Sequence, residues 1–138
     1  MTPTQKQVIK ETWRQIAPIA EAAATVFYNR LFEIDPSLKP LFAKTDMEKQ
    51  GQKLMQAISH VVAGLEAPEA LTPVLQDLGR RHAGYGVTEG HYDTVGAALL
   101  WTLERGLGNC WNDDAREAWA AAYALIAEVM IEAAREAA

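Results

Sequence analysis

The chain has 138 residues, enough for one domain around a single core and too few for two. Apolar residues make up 49% and charged residues 22%, and the net charge of −5 argues against nucleic acid as a partner, since displacing counterions from phosphates needs a basic surface. Cys110 stands alone, so an intramolecular disulfide and a cysteine-based metal site are excluded; no basic-then-apolar leader and no apolar run of about 18 residues is visible, so no membrane span and a cytoplasmic location are expected.

Apolar spacing is helical almost everywhere. After a cap at Thr2 or Thr4, Val8, Ile9, Trp13 and Ile16 form one stripe, which Pro18 ends or bends. Ala24, Phe27, Tyr28, Leu31 and Phe32 form a second stripe, broken by the prolines of "EIDPSLKP". "SLKPLF" suits a short helical turn presenting Leu41 and Phe42. A helix capped by Asp46 then carries Leu54, Ile58, Val61 and Leu65 on one face. "APEALTP" reads as a connector and "VLQDLGRRH" as a short helix, ended by the glycines of "AGYGV". Two long helices follow, with caps at Thr88 and Asn112. No alternating strand pattern or internal repeat competes, so the fold class is all-α, with some seven helices.

Few patterns carry chemistry. Three histidines without HExxH give no zinc signature, and GxSxG, P-loop and GxGxxG motifs are absent, which leaves nucleophilic and nucleotide chemistry unsupported. The pairs Asp113 and Asp114, and Glu132 and Glu136, fall where helix starts and solvated faces place carboxylates. One combination remains. Gln50, Leu54 and Ile58 recur at four-residue steps on one helix face, and His82 closes a short helix one turn after Leu78. Two apolar helix faces, one offering an imidazole and the other an amide, suit a flat iron cofactor held between them. His60 is set aside: ten residues beyond Gln50, at about 100° per residue, it is rotated roughly 80° from that face.

The segments "FYNRLFEIDPSLKPLF", "KQGQKLMQAI", "LGRRHAGYGV" and "HYDTVGAALL", followed by "EAWAAAYALIAEVMI", resemble the globin family. The likeness runs from Lys10 to about Ile131 and is to the bacterial single-domain globins, which are similar to the globin part of flavohaemoglobins. It implies a single globin domain over 1–138, a three-over-three helical sandwich around haem b, with no covalent attachment because CxxCH is absent. His82 becomes the proximal iron ligand, Phe42 the aromatic packed on the porphyrin, and Tyr28 and Gln50 the distal pair. Leu54 becomes the distal apolar wall; Leu78, Val87, Tyr92, Val95 and Leu99 line the proximal and inner side, and Lys53 and Arg81 reach for the propionates. One departure stands out: where flavohaemoglobin-like globins support the proximal histidine with a glutamate, this chain has Ala134. Less electron push at the iron is therefore expected, which favours reversible binding over peroxidase-like cleavage.

Each residue also has a plain reading. His82 alone reads as a cap on the last carbonyls of its helix. Phe42 and Leu54 read as core, Tyr28 as a phenol bonded to a carbonyl, and Gln50 as a solvated helix position beside polar "EKQGQ". The favoured function is a binding protein for O2, and also NO and CO. The alternative is a nitric oxide dioxygenase, whose iron is re-reduced by a separate reductase because the chain carries no flavin domain. A third reading is a helical interaction module without cofactor.

Overall fold

The computed structural model describes residues 1–137, which form six α-helices and three short 3-10 turns without a strand. Helix α1 spans Pro3–Ile16, α2 Ala20–Ile34, α3 Met47–Gly64, α4 Pro68–Gly84, α5 Glu89–Leu107 and α6 Asp113–Ala137. The caps follow the sequence. Thr2 and Gln5 form a reciprocal capping box, and Asp46 accepts from the N–H groups of Glu48 and Lys49. Asn112 Oδ1 accepts from Ala115 N–H at 2.8 Å, satisfying an orphan donor of α6. Pro18 lies in the 3-10 turn Ala17–Ile19, and "SLKPLF" falls in a second, Pro36–Phe42.

The expected connector "APEALTP" is instead the start of α4. Pro68 occupies the first turn, where a missing N–H costs nothing, and Leu71 and Leu75 are buried one turn apart. Pro73 lies farther inside, on the exposed side of the helix. Burial of the Leu71–Leu75 stripe outweighs the hydrogen bond that Pro73 removes.

Helix α2 packs across α3 and α5, α1 packs against α6, and α4 lies along α6. Two close approaches set these crossings. A Cβ at Gly51 would stand 2.9 Å from the Cβ of Ala24, and one at Gly79 would overlap the Met130 backbone of α6. Between α1 and α6, the Trp13 and Trp119 rings meet at 6.1 Å. Trp119 Nε1 donates to the buried Thr12 hydroxyl at 2.8 Å, and Trp13 Nε1 donates to Ser59 at 3.1 Å. A buried indole thereby keeps a partner for its polar edge.

The buried side chains fall into two clusters. The larger joins α1, α2, α3, α5 and the first half of α6 around Phe27, Tyr28, Leu31 and Leu103. The smaller joins α4, the start of α5 and the second half of α6 around Leu71, Leu75, Tyr92 and Met130. Val61 touches both.

Candidate haem site

His82 sits on the last turns of α4, half-buried, with Nδ1 2.7 Å from the carbonyl of Leu78. A carbonyl can only accept, so Nδ1 carries a proton, and in the neutral ring Nε2 then keeps its lone pair. The contact therefore fixes the tautomer and the ring orientation together. The helix end is also fastened: Tyr85 and Val87 N–H groups both donate to the His82 carbonyl, and Gly86 turns the chain at φ +90°. This contact is the one that a capping histidine makes, and it is compatible with a second role for the ring. One ring nitrogen is spent on its own helix, four residues back, and the other nitrogen is available to a metal.

Tyr28 and Gln50 come together across α2 and α3. Gln50 Nε2 donates to the Tyr28 hydroxyl at 3.2 Å, so the phenol oxygen is acceptor in that bond and its own proton is uncommitted. Burial pushes the Tyr28 phenol up from its ordinary value, and the Gln50 bond opposes this only in part, so the group stays protonated at neutral pH. Three aromatic rings hold it: Phe27 edge-on at 4.9 Å, Phe42 at 5.6 Å and Phe32 at 6.2 Å.

The remaining residues divide between the two clusters. Phe42, Leu54 and Val95 are half-buried against the larger cluster, and Leu99 is buried within it. Leu78 and Val87 are half-buried against the smaller one, which contains Tyr92. These half-buried side chains are apolar, the kind of surface that a flat apolar group requires. The two cationic candidates lie outside. Lys53 is exposed, and Arg81 is exposed and holds Asp77 through Nε and Nη2.

Among the described residues no three His, Cys, Asp or Glu side chains converge. A haem brings four nitrogen donors of its own, so the single imidazole of His82 beside apolar side chains fits a haem iron. His60 lies apart, beside Trp13, Met55 and Ser59 in a groove between α1 and α3. His91 accepts the Thr88 N–H on Nδ1 at 3.0 Å and caps α5. Sequence spacing alone did not reveal the Tyr123 hydroxyl bonded to the Tyr92 carbonyl at 2.6 Å, which ties α6 to α5 behind the site.

The fold defines a class, an all-helical domain in which one histidine ends a helix beside half-buried apolar side chains. The chain belongs to the globin family, whose model, described as Globin, matches residues 25–130. It is 34% identical over 132 residues to a flavohaemoprotein of Rhizobium meliloti, covering 94% of this chain and 33% of that protein. With a flavohaemoprotein of Halalkalibacterium halodurans the identity is 33% over 129 residues, covering 92% of this chain and 31% of that protein. The chain therefore spans about a third of the length of these relatives. A bacterial globin from Campylobacter jejuni superposes with a TM-score of 0.85 at 28% identity, covering 99% of this chain and 98% of that one. A hexacoordinated haem protein from an anhydrobiotic tardigrade shares the fold alone, with a TM-score of 0.89 at 18% identity over 98% of this chain and 96% of that one. Family and relatives together support haem as the prosthetic group. No helix among the described residues is long and apolar enough to cross a membrane.

Proposed function

We propose that this chain is a single globin domain that carries haem b without covalent attachment and binds a diatomic gas, O2 first and NO or CO also, reversibly. Haem iron supplies the coordination position at which the gas binds. His82 would hold that iron through Nε2, and the Leu78 carbonyl, accepting from Nδ1, fixes the orientation of the ring. Tyr28, whose proton is uncommitted, would offer that proton to a gas ligand bearing partial negative charge, and Gln50 positions the phenol by donating to its oxygen. Phe42, Leu54, Leu78, Val87, Tyr92, Val95 and Leu99 form the apolar surround that keeps water from the iron. Lys53 and Arg81 are assigned to the propionates, which for Arg81 means leaving Asp77.

The observation that carries this reading is the hydrogen bond between His82 Nδ1 and Leu78, because it leaves Nε2 as the ring nitrogen free to bind a metal. The test is an absorption spectrum of the purified protein through cycles of oxygenation and deoxygenation. A haem spectrum that shifts reversibly is expected; a protein that takes up no haem would overturn the proposal.

A second reading, nitric oxide dioxygenation with electrons from a reductase, is favoured by the flavohaemoprotein relatives. The count of NO consumed per haem separates the two. Sustained consumption with NADH and cell extract supports the enzyme, and one equivalent supports the binding protein.

A further inference from the structure

Tyr92 is only 9% exposed as a residue, and its hydroxyl, which bonds to no other described residue, is open to solvent rather than buried. Its neighbour Tyr123, by contrast, gives its proton to the Tyr92 carbonyl at 2.6 Å. Burial raises the Tyr92 phenol above its ordinary value, so it remains an O–H donor. It borders a pocket of about 230 Å³ with Ala83, Val87, Ile131, Ala134, Arg135 and the first residues of α5, Thr88 and Glu89.

The polar groups at this pocket are mostly donors. Arg135 holds Glu89 through Nε and Nη2, the latter at 2.9 Å, which leaves its Nη1 uncommitted and the Glu89 charge neutralised. The α5 N-terminus adds partial positive charge. The remaining walls are apolar. At about 30 Å³ per water-sized group the pocket holds some seven heavy atoms.

We propose that this pocket is a binding site for a short-chain aliphatic monocarboxylate, its carboxylate on the Tyr92 hydroxyl and Arg135 Nη1 and its alkyl chain on Ala83, Val87 and Ile131. The pocket adjoins the haem surround at Val87 and Tyr92 and lies apart from Tyr28 and Gln50; its test rests on the haem reading only through the use of holoprotein, which the haem absorption of the same sample checks separately. Ala134 leaves the space open, because any longer side chain there would fill it.

Butyrate, with six heavy atoms, is the probe. It is titrated into the purified holoprotein, with saturation-transfer NMR reporting contact of its methyl group. Saturable one-site binding is expected, weakened ten- to a hundredfold in Tyr92→Phe by loss of one hydrogen bond to a charged group. Ala134→Leu, which fills the pocket without touching Tyr92 chemistry, should abolish it, and Ala134→Glu should do so by supplying an internal carboxylate. Neutral butyramide should bind more weakly than butyrate. Absence of saturable transfer, equal affinity in Tyr92→Phe or Ala134→Leu at unchanged melting temperature, or butyramide binding as tightly as butyrate would each overturn the site.

Discussion

The two sides of the candidate site are built differently. On the α2–α3 side, Tyr28 and Gln50 are 22 residues apart and meet only because Ala24 and Gly51 let their helices approach. The phenol is then wedged among Phe27, Phe32 and Phe42. On the α4 side, His82 is oriented by a carbonyl of its own helix, four residues back, and its ring neighbour Tyr85 is 67% exposed, at a centroid distance of 6.1 Å. Imidazole orientation is a local property; the distal pair is a tertiary one. Packing changes should therefore disturb the first side through Tyr28, and the second only when α4 itself is displaced.

Displacing α4 is the largest effect expected. Gly79→Ala drives a methyl into the Met130 backbone, which cannot yield as a side chain would. A loss of at least about 3 kcal/mol, the upper end of overpacking, should appear in denaturant unfolding. Unchanged stability would mean that α4 and α6 are farther apart than the contact requires.

The distal pair comes next. Tyr28→Phe keeps the ring and removes one bond to a charged acceptor, worth about 1.5–3 kcal/mol, so O2 should dissociate about ten- to a hundredfold faster. Gln50→Leu should act through the same phenol, so the double mutant should fall short of the sum. CO carries less charge on its oxygen and should change far less. Flash photolysis measures all three variants, and wild-type O2 rates in both single mutants would remove Tyr28 and Gln50 from the ligand.

A smaller, purely structural loss of about 1 kcal/mol is expected from Asp46→Ala, which releases the N–H groups of Glu48 and Lys49 at the start of α3. Thermal unfolding checks it. A larger loss, with faster O2 release, would show that the cap also sets the Gln50 register.

Ala134→Glu should cost the least stability, because its side chain enters existing space beside Tyr92. If the carboxylate extends its influence to His82, the iron–histidine stretch in resonance Raman rises. An unchanged stretch in a folded protein would leave Leu78 as the sole influence on the imidazole.

How much of this was legible in the sequence follows the same division. The caps at Thr2, Asp46 and Asn112 are short-range chemistry, and all three are found as read. His82 and its carbonyl partner also lie within one helical turn. The beginning of α4 was missed because Pro68 and Pro73 read as breakers, whereas burial of Leu71 and Leu75 carries the helix through them. Gly51 and Gly79 gave no sign of which neighbour they admit, since a glycine names the space and not its occupant. The Tyr123 bond to Tyr92 and the pocket beside Ala134 depend on the pairing of α5 with α6, which helical periodicity does not encode. The Arg81 pairing was visible in principle: Asp77 precedes it by four residues, the spacing of helical ion pairs.

The central claim, that His82 Nε2 holds haem iron, is tested most directly by the absorption spectrum of His82→Ala with and without added imidazole. The mutation removes the only protein–iron bond proposed and leaves a slot of imidazole size beside the Leu78 carbonyl. The account predicts a poorly haem-loaded protein whose wild-type-like spectrum returns when imidazole is added. Full haem occupancy with an unchanged spectrum, in the absence of imidazole, would contradict it.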